Sequence, residues 1–245
     1  MIRQQFSHLP EVVKNLLIIN GLLYLATMYF DGQGGKIDLS NLFALHQFQS
    51  PDFKPYQLVT HMFMHDGFSH LFFNMFTLWM FGKTLENVWG GKRFLTYYMI
   101  TGFGAALIYM GYIQFQIHDI SSNMSLLQME SINQSKTVID NVFVPTTPEM
   151  QNLYNLINIP MVGASGAVYG LLLAFGMLFP NSLIYLYFAI PIKTKYFVAG
   201  IGILALISGI GNNPGDNIAH FAHLGGMIFG IILLKYWKKK GDIYF

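Results

Sequence analysis

The sequence predicts an all-α membrane protein, folded as a bundle of six transmembrane helices. Three observations support this fold class: only 11% of the residues are charged, 53% are hydrophobic, and the charged residues are separated by long uncharged windows. Soluble proteins carry roughly 25% charged residues, and a helix that crosses a bilayer needs about 20 mostly apolar ones. We interpret residues 1–245 as a single membrane domain with spans at about 15–30, 67–82, 94–118, 161–179, 196–215 and 217–234.

The boundaries of these spans follow from charges and helix-breaking residues. The first two windows are slightly short, but a lysine at a helix end can extend its amine to the headgroups, so the apolar length is a minimum. The uncharged window 150–192 is too long for one helix, and Pro180, Asn181 and Pro191 predict that its helix ends near residue 179 and a connector follows. No signal-peptide cleavage pattern precedes the first window, so we expect that span to be retained.

The distribution of charge predicts the orientation. With a cytoplasmic N-terminus, 11 of the 14 Lys and Arg residues lie on the inner side, and nine of the 12 acidic residues lie on the outer side. Cytoplasmic loops carry an excess of Lys and Arg. We therefore expect both termini in the cytoplasm, and a multi-pass protein of a bacterial plasma (inner) membrane.

Two long loops lie on the predicted outer side. The first, 31–66, has aromatic residues and few charges, a composition that suits the headgroup interface and fits either a lateral lid or a spacer. The second, 119–160, is rich in Ser, Asn, Gln and Thr, and is predicted to be polar and poorly structured.

Composition excludes several classes of function. The absence of cysteine excludes disulfides, a cysteine nucleophile and cysteine-ligated metals. A net charge of +2, with no basic block besides the C-terminal lysines, argues against nucleic acid as a partner. No internal repeat of the kind found in many transporters is present. The expected partner is the lipid bilayer, and the oligomeric state is left open.

Polar residues inside membrane spans are costly to bury and are therefore candidates for function. Four stand out: His70 and Asn74 in the second span, Ser165 in the fourth and His223 in the sixth. At a rise of about 1.5 Å per residue, all four lie within roughly 10 Å of the outer end of their helices. Three helices that are distant in sequence thus bring polar groups to one layer.

Ser165 lies near the start of its predicted helix, flanked by Gly163 and Gly166. The free N–H groups of a helix N-terminus suit an oxyanion that forms when serine attacks a carbonyl. The alternative is that these small residues only form a helix-packing face.

Glycines spaced four residues apart favour close contact between the fourth and sixth helices. The pairs are Gly166 with Gly170, and Gly226 with Gly230. His223 precedes Gly226 by three residues and so lies on the same helix face, where it could meet Ser165.

A histidine beside a serine can take the hydroxyl proton and later deliver it to the leaving amine. The nearest acid to His223, Asp216, lies about two turns away, so we predict a Ser–His dyad without a third acidic member. Tyr169, one turn after Ser165, is the expected packing partner of the imidazole or else an ordinary core tyrosine. His220 is the competing base.

His70 and Asn74 are one turn apart and can both donate hydrogen bonds, so they could form an oxyanion hole with the backbone N–H of Ser165. The alternative is a metal site, since His61 and His65 precede them; no acid lies at the right depth, and we predict no metal and no cofactor. His61 and His65 are expected to hold the loop through hydrogen bonds to the backbone.

Outside this group, Glu86 is interpreted as a structural partner of Lys92 or Arg93.

Three stretches together resemble the rhomboid family of intramembrane serine proteases: residues 56–98, MVGASGAVYG at 161–170 and IAHFAHLGGMIFG at 218–230. The resemblance implies a six-helix rhomboid-like bundle in which Ser165 is the nucleophile, His223 the base, His70 and Asn74 the oxyanion-stabilising pair and Tyr169 a support for the histidine. It also implies substrates that are transmembrane proteins, cut in or near a single membrane span.

One departure from the family concerns the first outer loop. Members often carry a Trp-Arg pair there, and residues 31–66 contain neither residue type. The competing hypothesis is a catalytically inactive rhomboid-like protein that binds membrane clients; such relatives lack the serine or the histidine, and this sequence has both.

Overall fold

The structure is a computed structural model that describes residues 9–32, 37–122, 147–158, 160–186, 189–211 and 220–241. Within those residues a helix lies at each of the six predicted spans. The α-helices are α1 (Glu11–Gly32), α2 (Leu39–Phe43), α3 (Gln57–Thr60), α4 (Phe68–Thr77), α5 (Lys83–Trp89), α6 (Gly91–Ser122), α7 (Pro148–Asn158), α8 (Ser165–Leu178), α9 (Thr194–Gly211) and α10 (His220–Lys239).

Three of these helices are long and apolar enough to cross a membrane: α1, α6 and α9. Helix α8 is apolar but shorter. The molecule is therefore a helical membrane protein, while the count of six crossings and the cytoplasmic position of both termini stay predictions.

The second predicted span is a composite helix. A π-helical turn over Leu78–Gly82 joins α4 to α5, so the helical segment continues to Trp89 rather than ending near residue 82. It ends where Gly90 adopts a positive φ of 77°, a conformation that glycine adopts without steric cost.

The carboxylate of Glu86 caps the start of α1, which corrects the expected pairing with Lys92 or Arg93. Its two oxygens accept hydrogen bonds from the backbone N–H groups of Val12, at 2.9 Å, and Val13, at 2.8 Å. The first N–H groups of a helix have no partner within the helix, and a carboxylate there also meets the positive end of the helix dipole. Sequence proximity favoured the two basic residues, but the packing of α5 beside α1 provides these donors.

The centre of the molecule is formed by α6, α8 and α10, each packed against the other two. Helix α8 is buried along most of its length, whereas α9 packs against this group by one face and exposes Ile203, Leu204 and Ile207 on the other. Exposed aliphatic side chains on a long apolar helix are what contact with lipid requires.

The fourth helix begins at Ser165, four residues later than its predicted start at 161. Met161 instead forms an antiparallel β-bridge with Leu45 of the first outer loop, closed by two backbone hydrogen bonds of 2.8 and 2.9 Å. A backbone segment whose N–H and C=O groups are bonded to another extended segment cannot also be helical.

The first outer loop is folded around the side chain of Gln57, which is only 1% exposed. Its amide oxygen accepts from the backbone N–H groups of His46 and Lys54, and its amide nitrogen donates to the carbonyls of Leu42 and Asp52. These four bonds anchor a loop that has no Trp-Arg pair.

The second outer loop is partly helical, which corrects the prediction that 119–160 is poorly structured. Helix α6 continues to Ser122, and α7 covers Pro148–Asn158. Met150, Leu153 and Ile157 lie along one face of α7 and pack against Ile113 and Ile117 of α6. This spacing is that of a helix with one apolar face; the polar composition of the segment as a whole obscured it. Residues 123–146 of the predicted loop lie outside the described part.

The connector after α8 contains a small β-hairpin, so the fold is not all-α throughout. Strand β1 (Leu183–Leu186) pairs with β2 (Ile190–Lys193) in antiparallel register, with Leu183 opposite Lys193. The predicted break at Pro180, Asn181 and Pro191 is confirmed, because α8 ends at Leu178 and α9 begins at Thr194.

Candidate active site

Ser165 is the first residue of α8, at the junction between the non-helical segment 160–164 and the central helices. At this position the first backbone N–H groups of the helix have no partner within the helix. The side chain is half-buried. A hydroxyl in this place is accessible and lies beside potential donors for an anion.

The structure brings His223 to Ser165. Nε2 of His223 lies 2.9 Å from the hydroxyl oxygen of Ser165, and His223 is 8% exposed. The ring of Tyr169 is stacked on that of His223, with centroids 4.1 Å apart and planes at 9°. Tyr169 therefore contacts the imidazole as expected and restricts its rotation.

The other candidate base, His220, lies beside His223. The two imidazole centroids are 6.2 Å apart, at right angles. In the described part of the chain, Nδ1 of His223 has no hydrogen-bond partner. Asp216, the nearest acid in sequence, lies outside the described residues.

Glycine contacts bring α8 and α10 close enough for this hydrogen bond. A Cβ atom at Gly226 would lie only 1.9 Å from the carbonyl oxygen of Gly166, and one at Gly166 would lie 2.3 Å from Cβ of Ala105 on α6. The predicted approach of the two helices is confirmed at these residues. Gly170 and Gly230 instead accommodate side chains of α6: the hydroxyl of Tyr97 donates to the carbonyl of Gly170 at 2.9 Å, and a Cβ at Gly230 would overlap that hydroxyl.

Gly163 connects His70 to the serine segment. It has a φ of +120°, and an added Cβ would lie 2.7 Å from both Cε1 and Nε2 of His70. A side chain here would be both strained and in collision. Its N–H donates to the carbonyl of His61 at 2.9 Å. The ring of His70 thus lies against the backbone two residues before Ser165.

Asn74 is buried one turn further along α4, at 5% exposure, and α4 packs against α8. Its amide nitrogen Nδ2 has no hydrogen-bond partner in the described part of the chain. Buried polar atoms are nearly always paired, so this amide is an exception in the part of the chain that the structure describes.

His61 contacts the loop backbone as predicted, whereas the predicted backbone hydrogen bond of His65 is not found among the described residues. Nδ1 of His61 lies 2.9 Å from the carbonyl of Gln57. The ring of His65 packs edge-on against that of His70, 5.1 Å away, and its nitrogens meet no partner at hydrogen-bonding geometry among the described residues. Burial lowers the pKa of both His61 and His65 to about 4.

The described residues contain no group of three or more His, Cys, Asp or Glu side chains arranged to hold a metal ion.

Sequence reasoning missed Asp66 as a member of this site. Its carboxylate lies 2.5 Å from Nδ1 of His70. Residues four apart are neighbours where a chain is helical, so the position of Asp66 four residues before His70 is the signal in the sequence.

Comparison with known proteins gives the family. The model of the rhomboid domain matches residues 52–239. Rhomboid protein 1, mitochondrial, of Saccharomyces cerevisiae is 27% identical over 72% of this chain and 40% of its own length. RHOMBOID-like protein 12, mitochondrial, of Arabidopsis thaliana is 26% identical over 88% of this chain and 55% of its own length. The putative rhomboid protease YdcA of Bacillus subtilis is 26% identical over 73% of this chain and 65% of its own length.

The chain thus spans less than two thirds of the length of these relatives. Two of the three are named as mitochondrial proteins, so they give no support to the predicted bacterial plasma membrane. The family model covers well over half of the chain. The chain therefore belongs to the rhomboid family of helical integral membrane proteins.

Proposed function

We propose that this protein is an intramembrane serine endopeptidase with Ser165 as nucleophile and His223 as general base. The observation that carries the proposal is the 2.9 Å contact between Nε2 of His223 and the Ser165 hydroxyl oxygen. A serine and a histidine at hydrogen-bonding distance, with the ring held by a third group, is the arrangement expected of an activated nucleophile. Here the third group is the stacked ring of Tyr169.

The reaction proceeds by acyl transfer. Nε2 of His223 accepts the hydroxyl proton as the Ser165 oxygen bonds to the carbonyl carbon of the substrate, which gives a tetrahedral oxyanion. The oxyanion collapses, the C–N bond breaks, and the proton on Nε2 goes to the leaving amine. Water then hydrolyses the acyl-enzyme ester, with His223 again as base, and restores the free serine.

The oxyanion is stabilised by His70, Asn74 and the backbone N–H of Ser165. Two observations support this assignment: the unpaired, buried Nδ2 of Asn74, and the contact of the His70 ring with Gly163. Donors that are already in place when negative charge develops need no reorganisation during the reaction.

The substrates are membrane proteins with a single span, cut in or next to that span. A peptide bond inside an intact helix has its carbonyl and N–H groups engaged, so the substrate must be locally unwound at the site. The start of α8 is next to the polar outer loop, where such an unwound segment meets both water and the dyad.

The test is cleavage of a single-span reporter protein by purified protein in liposomes. Wild type should cut the reporter, and Ser165→Ala and His223→Ala should each abolish cleavage, while Ser122→Ala, which changes an exposed serine at the end of α6, should retain it. A serine-reactive phosphonate should label wild type but not Ser165→Ala.

Two outcomes would contradict parts of this proposal. Loss of activity in His220→Ala with activity retained in His223→Ala would transfer the role of base to His220. Absence of both cleavage and labelling across a panel of reporters would support the inactive, client-binding alternative.

A further inference from the structure

Asp66 lies two residues before α4, and its carboxylate accepts a hydrogen bond from the ring of His70. The distance from its Oδ1 to Nδ1 of His70 is 2.5 Å. The Asp66 side chain is 72% exposed and that of His70 is 30% exposed. The bond therefore joins a residue in contact with solvent to one that faces the interior of the site.

The His70 ring is held on two further sides. Its Nε2 and Cε1 lie against Gly163, where an added Cβ would be 2.7 Å away. The ring of His65 packs against it edge-on, with centroids 5.1 Å apart. The hydrogen bond to Asp66 restricts rotation of the His70 ring about its side-chain bonds.

The hydrogen bond also determines which atoms carry protons. An ionised carboxylate only accepts hydrogen bonds, so Nδ1 of His70 must carry a hydrogen atom to bond to Asp66. Nε2 is then the atom directed at the Gly163–Ser165 segment. When Nε2 donates to an oxyanion, the ring carries both protons and the Asp66 carboxylate balances its charge.

We propose that Asp66 is a positioning residue for the protease reaction, which orients the His70 ring so that Nε2 faces the oxyanion. This inference rests on the proposed function of the Ser165–His223 pair. Asp66 does not touch the substrate; it acts through His70. The competing explanation is that Asp66 only stabilises the start of α4, where an acidic residue interacts favourably with the helix dipole.

The experiment compares cleavage kinetics of four variants: Asp66→Ala, Asp66→Asn, His70→Ala and the double variant Asp66→Ala/His70→Ala. Because an exposed pair of this kind interacts weakly, we expect Asp66→Ala to lower kcat by about two- to fivefold with KM unchanged. Asp66→Asn, which keeps an oxygen acceptor without the charge, should give an intermediate kcat. Asp52→Ala removes another exposed acid of the same loop and should match wild type.

The double variant distinguishes positioning from helix stabilisation. If Asp66 acts through His70, removing it in the His70→Ala background should cause no further loss of kcat. A further loss equal to that in the single variant would overturn the inference, as would a change in KM alone.

His70→Ala is expected to lose roughly 10²–10³ in kcat, since it removes one oxyanion donor. If cleavage becomes too slow to follow, the rate of labelling of Ser165 by a serine-reactive phosphonate gives the same four-way comparison. Failure of the proposed function would appear differently, as unchanged cleavage in Ser165→Ala. Full activity of His70→Ala together with an inactive Ser165→Ala would overturn the Asp66 inference alone.

Discussion

Two adjoining regions of this molecule are stabilised by different kinds of interaction. The outer layer, residues 37–66 with the segment 160–164, depends on polar side chains bonded to backbone, as in the four bonds of Gln57 and the bond from Thr60 to the carbonyl of Phe43. The central bundle, α6 with α8 and α10, depends on close approach of small residues, as at Gly166 and Gly226.

The difference follows from the surroundings of each region. Irregular backbone has N–H and C=O groups that helices satisfy internally, so a loop needs side chains to complete its hydrogen bonds. Helices in a bilayer gain little from burying apolar groups, because lipid is equally apolar, and they associate through close packing. Ser165 lies where the two regions meet, so the dyad geometry depends on both.

The largest effect should come from adding atoms to the bundle. Gly226→Ala should prevent α8 and α10 from meeting as closely, because the added Cβ would lie 1.9 Å from the Gly166 carbonyl oxygen. We expect loss of phosphonate labelling and a fall in the unfolding free energy of at least about 1–3 kcal/mol, measured by thermal unfolding in detergent. Gly200→Ala on α9 is the matched control, since nothing lies within 4 Å of its added Cβ. Similar behaviour of the two variants would refute the close-packing explanation.

A smaller effect is expected from removing the polar anchor of the outer layer. Gln57→Ala leaves two N–H and two C=O groups without their partner. Three of the lost bonds, to Leu42, Asp52 and Lys54, are only partly buried, so water can replace the amide there, and the main cost is about 1–3 kcal/mol for the buried N–H of His46. We expect faster amide hydrogen exchange at residues 42–57, with α8 and α10 unaffected. Asp52→Ala, which changes an exposed side chain of the same loop, should leave exchange unchanged. Uniform acceleration throughout the bundle would show that the two regions are not separately stabilised.

The smallest effect on stability is expected from lowering the pH. Burial lowers the pKa of His61 and His65 to about 4, below the value of 6.5 for a free histidine. Between these values the unfolded chain binds protons that the folded chain does not, so stability is complete above pH 6.5 and falls as the pH decreases towards 4. At pH 6 the loss should be about 1 kcal/mol or less per histidine, measured as the unfolding midpoint at pH 7.5 and pH 6. His61→Gln should reduce this dependence; an unchanged dependence would exclude His61 as its source.

The sequence by itself determined where the six predicted spans lie and which side chains form the candidate catalytic pair. Uncharged windows gave six helical segments, because the cost of burying charge in a bilayer is a property of each segment alone. The glycine spacing predicted that α8 and α10 meet, and with it the contact between Ser165 and His223, because residues four apart share a face of a helix.

Tertiary structure decided the details that depend on partners far along the chain. Met161 is extended because it pairs with Leu45, so α8 starts at Ser165. Glu86 caps α1 because α5 lies beside it. Gln57 anchors the first outer loop, which has no Trp-Arg pair, through bonds that only the folded loop provides. Helix periodicity is local and can be found in the sequence, whereas the partner of a backbone N–H or a carboxylate is set by which segments pack together.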